Sequence, residues 1–189
     1  MALAPDPPRS HQPNASRLRT DGRVPDIIKP GLRVLFCGIN PGQMSGALGQ
    51  HFARPGNRFW KVLHLAGYTE RPLAPAEQWS LLERGIGITN LVSATSRAAT
   101  DLTTEQLRTG ALALESKVAR YHPGFVAMLG MQAYRLAFRR PRAMIGEQAD
   151  RLSGARLWLL PNPSGLQARY GLSEMVVMFA DLREALGMA

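Results

Sequence analysis

The order of its predicted elements places this chain in the α/β class. From Gly31 onward, strand-like apolar runs alternate with segments of helical periodicity. The predicted strands cover residues 32–37, 87–92, 125–129 and 157–160, and the predicted helices cover residues 57–66, 75–83, 103–121, 131–138 and 173–186. Thr103 and Gln106 have the spacing of a capping box, and Ser173 is the predicted N-cap of the last helix. Because strands separated by helices form a mostly parallel sheet covered on both faces, we predict a three-layer α/β/α single domain with a short central sheet.

Length and composition favour one domain with a core of its own. The 189 residues, 45% of them hydrophobic, can bury one full core. No apolar run approaches the roughly 20 residues that a bilayer requires, and the N-terminus lacks the apolar stretch of a secretory signal. Cys37 is the only cysteine and lies in a predicted strand, which excludes an internal disulfide. We therefore expect a cytoplasmic monomer without membrane association, located at the nucleoid if the protein is bacterial.

Residues 1–29 have the composition of a tail, which leaves residues 30–189 as the predicted domain. Proline and arginine are frequent in this segment and large apolar residues are few, so it cannot support a core. Two interpretations of the tail remain open. It is either an inert leader or a basic arm that adds non-specific electrostatic contact with DNA.

The charge of the chain indicates an anionic partner. Lys and Arg total 23 against 14 Asp and Glu, which gives a net charge of +9, and the pI is about 10.8. Only Lys29, Lys61 and Lys117 are lysines, so most of the positive charge is on arginine, whose planar fork suits phosphate. Genomic base composition is an alternative explanation for the preference for arginine, but it does not explain the net charge. A nucleic acid is the favoured partner.

Two short loops rich in Asn, Pro and Gly follow predicted strands. The sequence GINPG occupies residues 38–42 and NPSGL occupies residues 162–166. Binding sites of α/β folds gather at the carboxyl ends of parallel strands, where Pro and Gly fix a turn and let backbone N–H groups approach a ligand. The first loop matches neither the dinucleotide fingerprint nor the P-loop. Its Asn40 can orient a water or contact a base edge, or it can satisfy its own backbone in an Asx-type turn.

A third segment, HFARPGNRFW at residues 51–60, lies between the two loops. Together the three segments resemble the mismatch-specific uracil-DNA glycosylase family, which includes the thymine-DNA glycosylases, and the similarity runs from about residue 30 to the C-terminus. The resemblance implies a DNA repair enzyme that flips uracil, or a related mismatched or damaged pyrimidine opposite guanine, out of double-stranded DNA. It implies hydrolysis of the N-glycosidic bond by a positioned water, which leaves an abasic site.

The resemblance also implies roles for residues of the predicted pocket. Asn40 positions the water, Phe52 stacks on the flipped base, and backbone groups of Ile39 and Phe52 read the pyrimidine edge. Composition alone would make Phe52 a core aromatic, but its position in a loop favours stacking. Ser45 lies near the pocket, where it either tunes access for a 5-methyl group or is a simple loop serine. Asn90 ends the second predicted strand, and we expect it to face the site.

The second loop is expected to enter the duplex. Gly165 and Leu166 match the wedge of the resembling family, an apolar side chain that fills the space left by the extruded nucleotide. Asn162 is expected to brace the loop or contact the DNA backbone, and Ser164 to contact DNA. The connection to the last helix is slightly longer than is usual in that family, which makes Arg169 the candidate for contacting the widowed partner base. The alternative for Arg169 is a solvated side chain.

The group that deprotonates the water is not in the first loop. Asp101 follows a polar loop after the second predicted strand. It either has a catalytic role, in which it activates the water or stabilises the sugar cation, or helps to cap the helix that begins near Thr103. No lysine accompanies either loop to form a Schiff base, so we expect a monofunctional enzyme. His51 either contacts phosphate or is an ordinary solvated or packed side chain. No ligand spacing indicates a metal, and we expect no cofactor. A non-catalytic α/β module that binds nucleic acid or a nucleotide through the same loops is the alternative function.

Overall fold

The computed structural model describes residues 23–96, 101–165 and 169–188. In chain order its elements are β1 (Val34–Gly38), α1 (Gln43–Leu48), α2 (Phe59–Leu65), a 3₁₀ helix (Pro75–Arg84), β2 (Ile86–Asn90), α3 (Thr104–Tyr121), β3 (Phe125–Leu129), α4 (Met131–Ala137), β4 (Gly146–Leu152), β5 (Ala155–Leu160) and α5 (Leu172–Ala185). Each predicted strand and helix has a counterpart in the structure, and α1 and β4 are two elements that the sequence patterns did not predict.

One mixed sheet organises the described part of the chain. Its strand order is β2-β1-β3-β5-β4. The β1 strand pairs in parallel with both β2 and β3, β3 pairs in parallel with β5, and only β4 is antiparallel. The predicted α/β/α class and the mostly parallel sheet are confirmed. In this register Gly38 lies beside Asn90 and Leu129 lies beside Leu160, so the loops after β1, β2, β3 and β5 leave from the same edge.

Alternation along the strands divides the core between the two faces of the sheet. In β1, Val34 and Phe36 pack towards α2 and α5, whereas Leu35 and Cys37 pack towards α3 and α4. This is the pattern expected of a strand buried on both faces. Phe36 contacts Phe59 of α2 at 5.6 Å and Phe179 of α5 at 5.8 Å between ring centroids. The α2 helix, which begins beside the candidate site, is therefore anchored directly to the central strand.

The ends of two helices test the predicted caps. The predicted capping box is confirmed, because Thr103 Oγ1 accepts a hydrogen bond from the Gln106 backbone N–H and Gln106 Oε1 accepts one from the Thr103 N–H. The prediction of Ser173 as N-cap is wrong. The α5 helix begins one residue earlier, with Gly171 as N-cap, whose backbone N–H donates to Glu174 Oε2 at 2.7 Å.

Residues just before β1 pack onto the domain. Ile27 is fully buried and exchanges two backbone hydrogen bonds with Ile88 of β2. Asp26 accepts from Thr89 Oγ1 at 2.6 Å and pairs with Lys117 Nζ of α3 at 2.6 Å. The packed part of the chain therefore includes these residues of the predicted tail, and residues 1–22 lie outside the described ranges. Within those ranges, no helix has the length and apolar character needed to cross a bilayer.

Candidate functional site

The fold brings the two Asn-Pro-Gly loops to one edge of the sheet, on either side of the end of β3. Gly130, with φ of 135°, follows β3 and lies between them. A Cβ atom at Gly130 would lie 2.8 Å from Ile39 Cδ1 of the first loop and 3.9 Å from Asn162 Cβ of the second. Ile39 and Asn162 are therefore close neighbours, and the absence of a side chain at Gly130 permits that approach.

Asn40 is held by its amide nitrogen, which leaves its oxygen available. The Nδ2 group donates to Ser96 Oγ at 2.8 Å and to the Pro41 carbonyl at 3.1 Å. The described residues supply no hydrogen-bond donor to Asn40 Oδ1, and the side chain is half-buried. A fixed amide with a free carbonyl oxygen at a partly open edge can accept a hydrogen bond from a water and orient it. The bond to Ser96 links residues 56 positions apart, so this is more than a local turn.

Phe52 lies in a strained conformation beside the first loop. Its φ is 54°, in the left-handed region, which costs a non-glycine residue about 1–3 kcal/mol. Its ring stacks on Phe59 of α2 with centroids 4.2 Å apart. Ser45 is buried, and its Oγ accepts from the backbone N–H of Ala53 at 3.1 Å. Ser45 therefore braces the turn that carries Phe52.

Asn90 lies next to Phe52 and is oriented by a buried histidine. His51 Nε2 lies 3.0 Å from the Pro25 carbonyl, which can only accept, so Nε2 carries the proton. In neutral His51, Nδ1 is then the acceptor for Asn90 Nδ2, at 3.4 Å. Asn90 Oδ1 points to Gly38, where a Cβ atom would lie only 2.5 Å from it and 3.3 Å from the Phe52 ring. Asn90, Phe52 and Gly38 thus form one cluster, and Asn40 follows Gly38 by two residues in the first loop.

His51 is packed inside the protein and is not solvated. Only 2% of its surface is exposed, its N–H donates to Gln78 Oε1 at 2.8 Å, and its carbonyl accepts from Trp60 Nε1 at 3.1 Å. Burial is the main cause that lowers its pKa to about 4. The imidazole is therefore neutral at physiological pH, which the orientation of Asn90 requires.

We expect His51 to make the fold sensitive to mild acid. The unfolded chain takes up this proton near pH 6.5 and the folded protein only near pH 4, so stability falls as the pH is lowered through that window. The loss attributable to this group is about 3 kcal/mol at pH 4. Urea unfolding at pH 7 and pH 4, compared between the wild type and His51→Gln, measures it. The variant should show the smaller pH dependence, and equal dependence would contradict the assignment.

The second loop is attached to the start of α2. Asn162 Oδ1 accepts from the Ser164 N–H at 3.0 Å, so Asn162 braces its own loop. A Cβ atom at the exposed Gly165 would lie 2.6 Å from the Gly56 carbonyl oxygen. Leu166, the predicted wedge, lies outside the described residues. Arg169 is exposed, with its guanidinium carbon 5.4 Å from the centre of the Tyr170 ring.

Asp101 is exposed and stands just before α3. The N-cap of this helix is Thr103, whose side chain makes the capping hydrogen bond, so Asp101 is not the N-cap. The preceding residues 97–100 lie outside the described ranges.

Two residues that shape this site, Arg58 and His51, have roles that the sequence patterns did not predict. Arg58 is part of the NRFW motif, but no role was assigned to it, although its guanidinium donates to the carbonyls of Ser164 and Tyr170. His51 was given no role in orienting Asn90. The position of both residues within the aromatic and Arg-rich segment was the available signal.

Metal ligands are not clustered in the described part of the chain, where no group of three His, Cys, Asp or Glu side chains could hold an ion. Cys37 is buried within β1, and burial raises the pKa of its thiol to about 12. It is therefore a protonated core residue at physiological pH.

Comparison with known proteins places the chain in a family. The model of the uracil DNA glycosylase superfamily matches residues 25–185, and the chain belongs to this superfamily. A protein of Methanosarcina acetivorans, described as a candidate uracil DNA glycosylase and solved in solution by NMR, has a similar fold. Its TM-score is 0.57 at 21% identity, and the match covers 85% of this chain and 97% of that one. Membership indicates a DNA repair glycosylase, a hydrolase that acts on DNA.

Proposed function

We propose that this protein is a monofunctional, mismatch-specific uracil-DNA glycosylase of the branch that includes the thymine-DNA glycosylases, acting on uracil opposite guanine in double-stranded DNA. The observation that carries the proposal is the fixed Asn40 amide, whose oxygen is free of donors among the described residues, beside the cluster of Phe52, Asn90 and Gly38. The three motifs that form this site are those that resemble the mismatch-specific family. The net charge of +9 favours a phosphate backbone as partner.

The geometry supports the following reaction. The extruded uracil stacks on Phe52, and Asn90 together with backbone groups of Ile39 and Phe52 binds its polar edge. As the C1′–N1 bond breaks, its electron pair goes to the base, which leaves as an anion, and the sugar becomes oxocarbenium-like. The water held by Asn40 Oδ1 adds its oxygen to C1′ and gives up a proton, which reaches the departing uracil anion through Asp101 or solvent. The products are free uracil and an abasic site.

Three residues near the second loop would act on the duplex. We propose that Leu166 fills the space left by the extruded nucleotide, that Gly165 lets the loop approach the base stack, and that Arg169 contacts the widowed guanine. Inserting an apolar side chain offsets an unstacking cost of a few kcal/mol. The proposed wedge gains support from the attachment of Ser164 to Arg58, which fixes the start of this loop.

We assign to Asp101 the role of accepting the proton of the water or stabilising the sugar cation. Replacing Asp101 with Asn should slow single-turnover cleavage about 100-fold, the usual size of a general-base contribution. Thr103→Ala is the matched control, because it removes the cap and costs about 1 kcal/mol of stability but keeps the carboxylate. An Asp101→Asn protein that cleaves at the wild-type rate would refute the assignment.

The proposed function is tested with an end-labelled duplex that contains one U:G pair. Release of free uracil, followed by alkali-induced strand scission at that position, is the expected result. Duplexes with U:A and T:G pairs, and the single strand alone, define the selectivity. Tight binding of the U:G duplex without base release would instead support a non-catalytic binding module and contradict the proposal.

A further inference from the structure

Arg58 connects the second loop to the start of α2 through three hydrogen bonds. Its backbone N–H donates to the Pro163 carbonyl at 2.9 Å. Its guanidinium Nη1 donates to the Tyr170 carbonyl at 2.8 Å, and Nη2 donates to the Ser164 carbonyl at 3.1 Å. Pro163 and Ser164 precede the residues assigned to the wedge, whereas Tyr170 follows them. One side chain therefore joins the two ends of this loop.

The chemistry of arginine suits this task. A guanidinium presents its two terminal nitrogens in one rigid plane, so each can donate to a different carbonyl oxygen at a fixed separation. A lysine keeps the positive charge but carries it on a single flexible ammonium. Gly165 adds a second constraint, since the close approach of its Cα to the Gly56 carbonyl leaves no room for a side chain. Gly56 lies in the turn that leads into Arg58, so both constraints hold the loop against this turn and the start of α2.

The same turn supports the base pocket. Arg58 is the N-cap of α2, and the next residue, Phe59, is fully buried and stacks on Phe52 at 4.2 Å. Asn57 Oδ1 accepts from the Phe59 N–H at 2.9 Å, which fixes the start of the helix. Arg58, which contacts the second loop, and Phe59, which stacks on Phe52, are therefore adjacent in the chain. The loop and the pocket share one rigid support.

We infer that Arg58 is a positioning residue that holds the loop inserted into the duplex at a fixed distance from the base pocket, so that opening the base stack and capturing the extruded base are coupled. This inference rests on the proposed function, in which residues 165 and 166 enter the DNA. Both terminal guanidinium nitrogens of Arg58 donate to carbonyls of the loop, so its assigned role is exerted through the loop and not on the base. Replacing Arg58 should therefore lower kcat/KM most on the duplexes in which extruding the uracil costs the most free energy.

Two duplexes separate positioning from a general structural role. In one, uracil pairs with guanine. In the other, uracil lies opposite an abasic site and is extruded without breaking a base pair. Arg58→Lys should reduce kcat/KM at least tenfold on the U:G duplex and less than threefold on the duplex with the unpaired uracil. Arg84→Lys is the matched control, because Arg84 lies on the 3₁₀ helix and pairs with Glu70, and it should change neither value.

Gly165→Ala provides a second route if Arg58→Lys does not fold. The new Cβ would meet the Gly56 carbonyl and displace the loop without touching the arginine, so the same selective loss is expected. Gly171→Ala is its control, since a Cβ there meets only Glu174 Oε2, at 3.4 Å. Equal losses on both duplexes, or no loss on either, would overturn the role of Arg58 while leaving the glycosylase assignment intact. A wild-type protein that releases uracil from neither duplex would overturn both.

Discussion

Replacing Asn40 with alanine should slow single-turnover release of uracil from a U:G duplex by about 100- to 1000-fold, the usual effect of removing a group that positions or stabilises the reacting atoms. The reason lies in the bonding of this amide. Its nitrogen is committed to Ser96 and the Pro41 carbonyl, and only its oxygen can hold the water. Uracil release under enzyme excess, followed by chromatography of the free base, measures the rate without a contribution from product release.

Two further variants show whether the orientation of the amide matters. Ser96→Ala keeps Asn40 but removes one of the two acceptors of its Nδ2 group, so an intermediate loss is expected. Asn40→Asp keeps an oxygen towards the water and adds a carboxylate that can accept its proton, so it should retain more activity than Asn40→Ala. Melting temperatures serve as the control for folding. An Asn40→Ala protein with the wild-type rate would show that the water is held elsewhere.

Gly38→Ala should reduce the rate of uracil release by at least about tenfold. The new methyl group would displace Asn90 or Phe52, and a misplacement of about 1 Å near the reacting atoms is enough for such a loss. Gly38 ends β1 beside Asn90, and the Cβ of Gly38→Ala would lie 2.5 Å from Asn90 Oδ1 and 3.3 Å from the Phe52 ring. Neither group can retreat easily, because Asn90 is bound to His51 and Phe52 is stacked on Phe59. Single-turnover kinetics on the U:G duplex measure the effect.

A double-mutant cycle separates this steric effect from a general loss of stability. In an Asn90→Ala background the oxygen that meets the new methyl group is gone, so Gly38→Ala should cost less than it does in the wild type. The loss of rate that Gly38→Ala still causes in this background is the part due to contact with the Phe52 ring. Equal costs in the two backgrounds would contradict the view that Asn90 and Gly38 are packed as one unit.

Sequence patterns correctly predicted helices, strands and a helix cap that are determined by residues close together in the chain. The continuous apolar run at residues 125–129 matches β3, and the Thr103 and Gln106 pair forms the predicted capping box. The β4 strand was missed because its sequence, GEQADRL, lacks apolar alternation. It pairs with β5 alone and antiparallel, so most of its side chains stay in solvent and need not be apolar. Ser173 was the wrong cap because the Glu174 carboxylate already satisfies the N–H of Gly171.

The site residues that could be predicted from the sequence are those that belong to a recognisable motif. Asn40 follows β1 and Asn90 ends β2, and parallel pairing brings the ends of these two strands to one edge, so their proximity was predictable. Phe52 lies in the turn between α1 and α2, and only its motif indicated that it belongs to the site. The contacts of His51 and Arg58 were not predictable, since their partners are distant in the sequence. His51 reaches a carbonyl 26 residues away, and Arg58 reaches one 112 residues away. No local pattern encodes such pairs, and only the packed fold brings them together.

The measurement that tests the central claim most directly is a crystal structure of this protein bound to a duplex in which 2′-fluoro-uridine lies opposite guanine. Fluorine at C2′ disfavours the sugar cation, so the glycosidic bond should stay intact and the bound state should be captured. We expect the uracil outside the base stack, its ring on Phe52, its polar edge at Asn90 and its C1′ within reach of a water on Asn40 Oδ1, with Leu166 in the vacated space. A uracil that remains paired in the duplex, or one bound away from Asn40, would contradict the account.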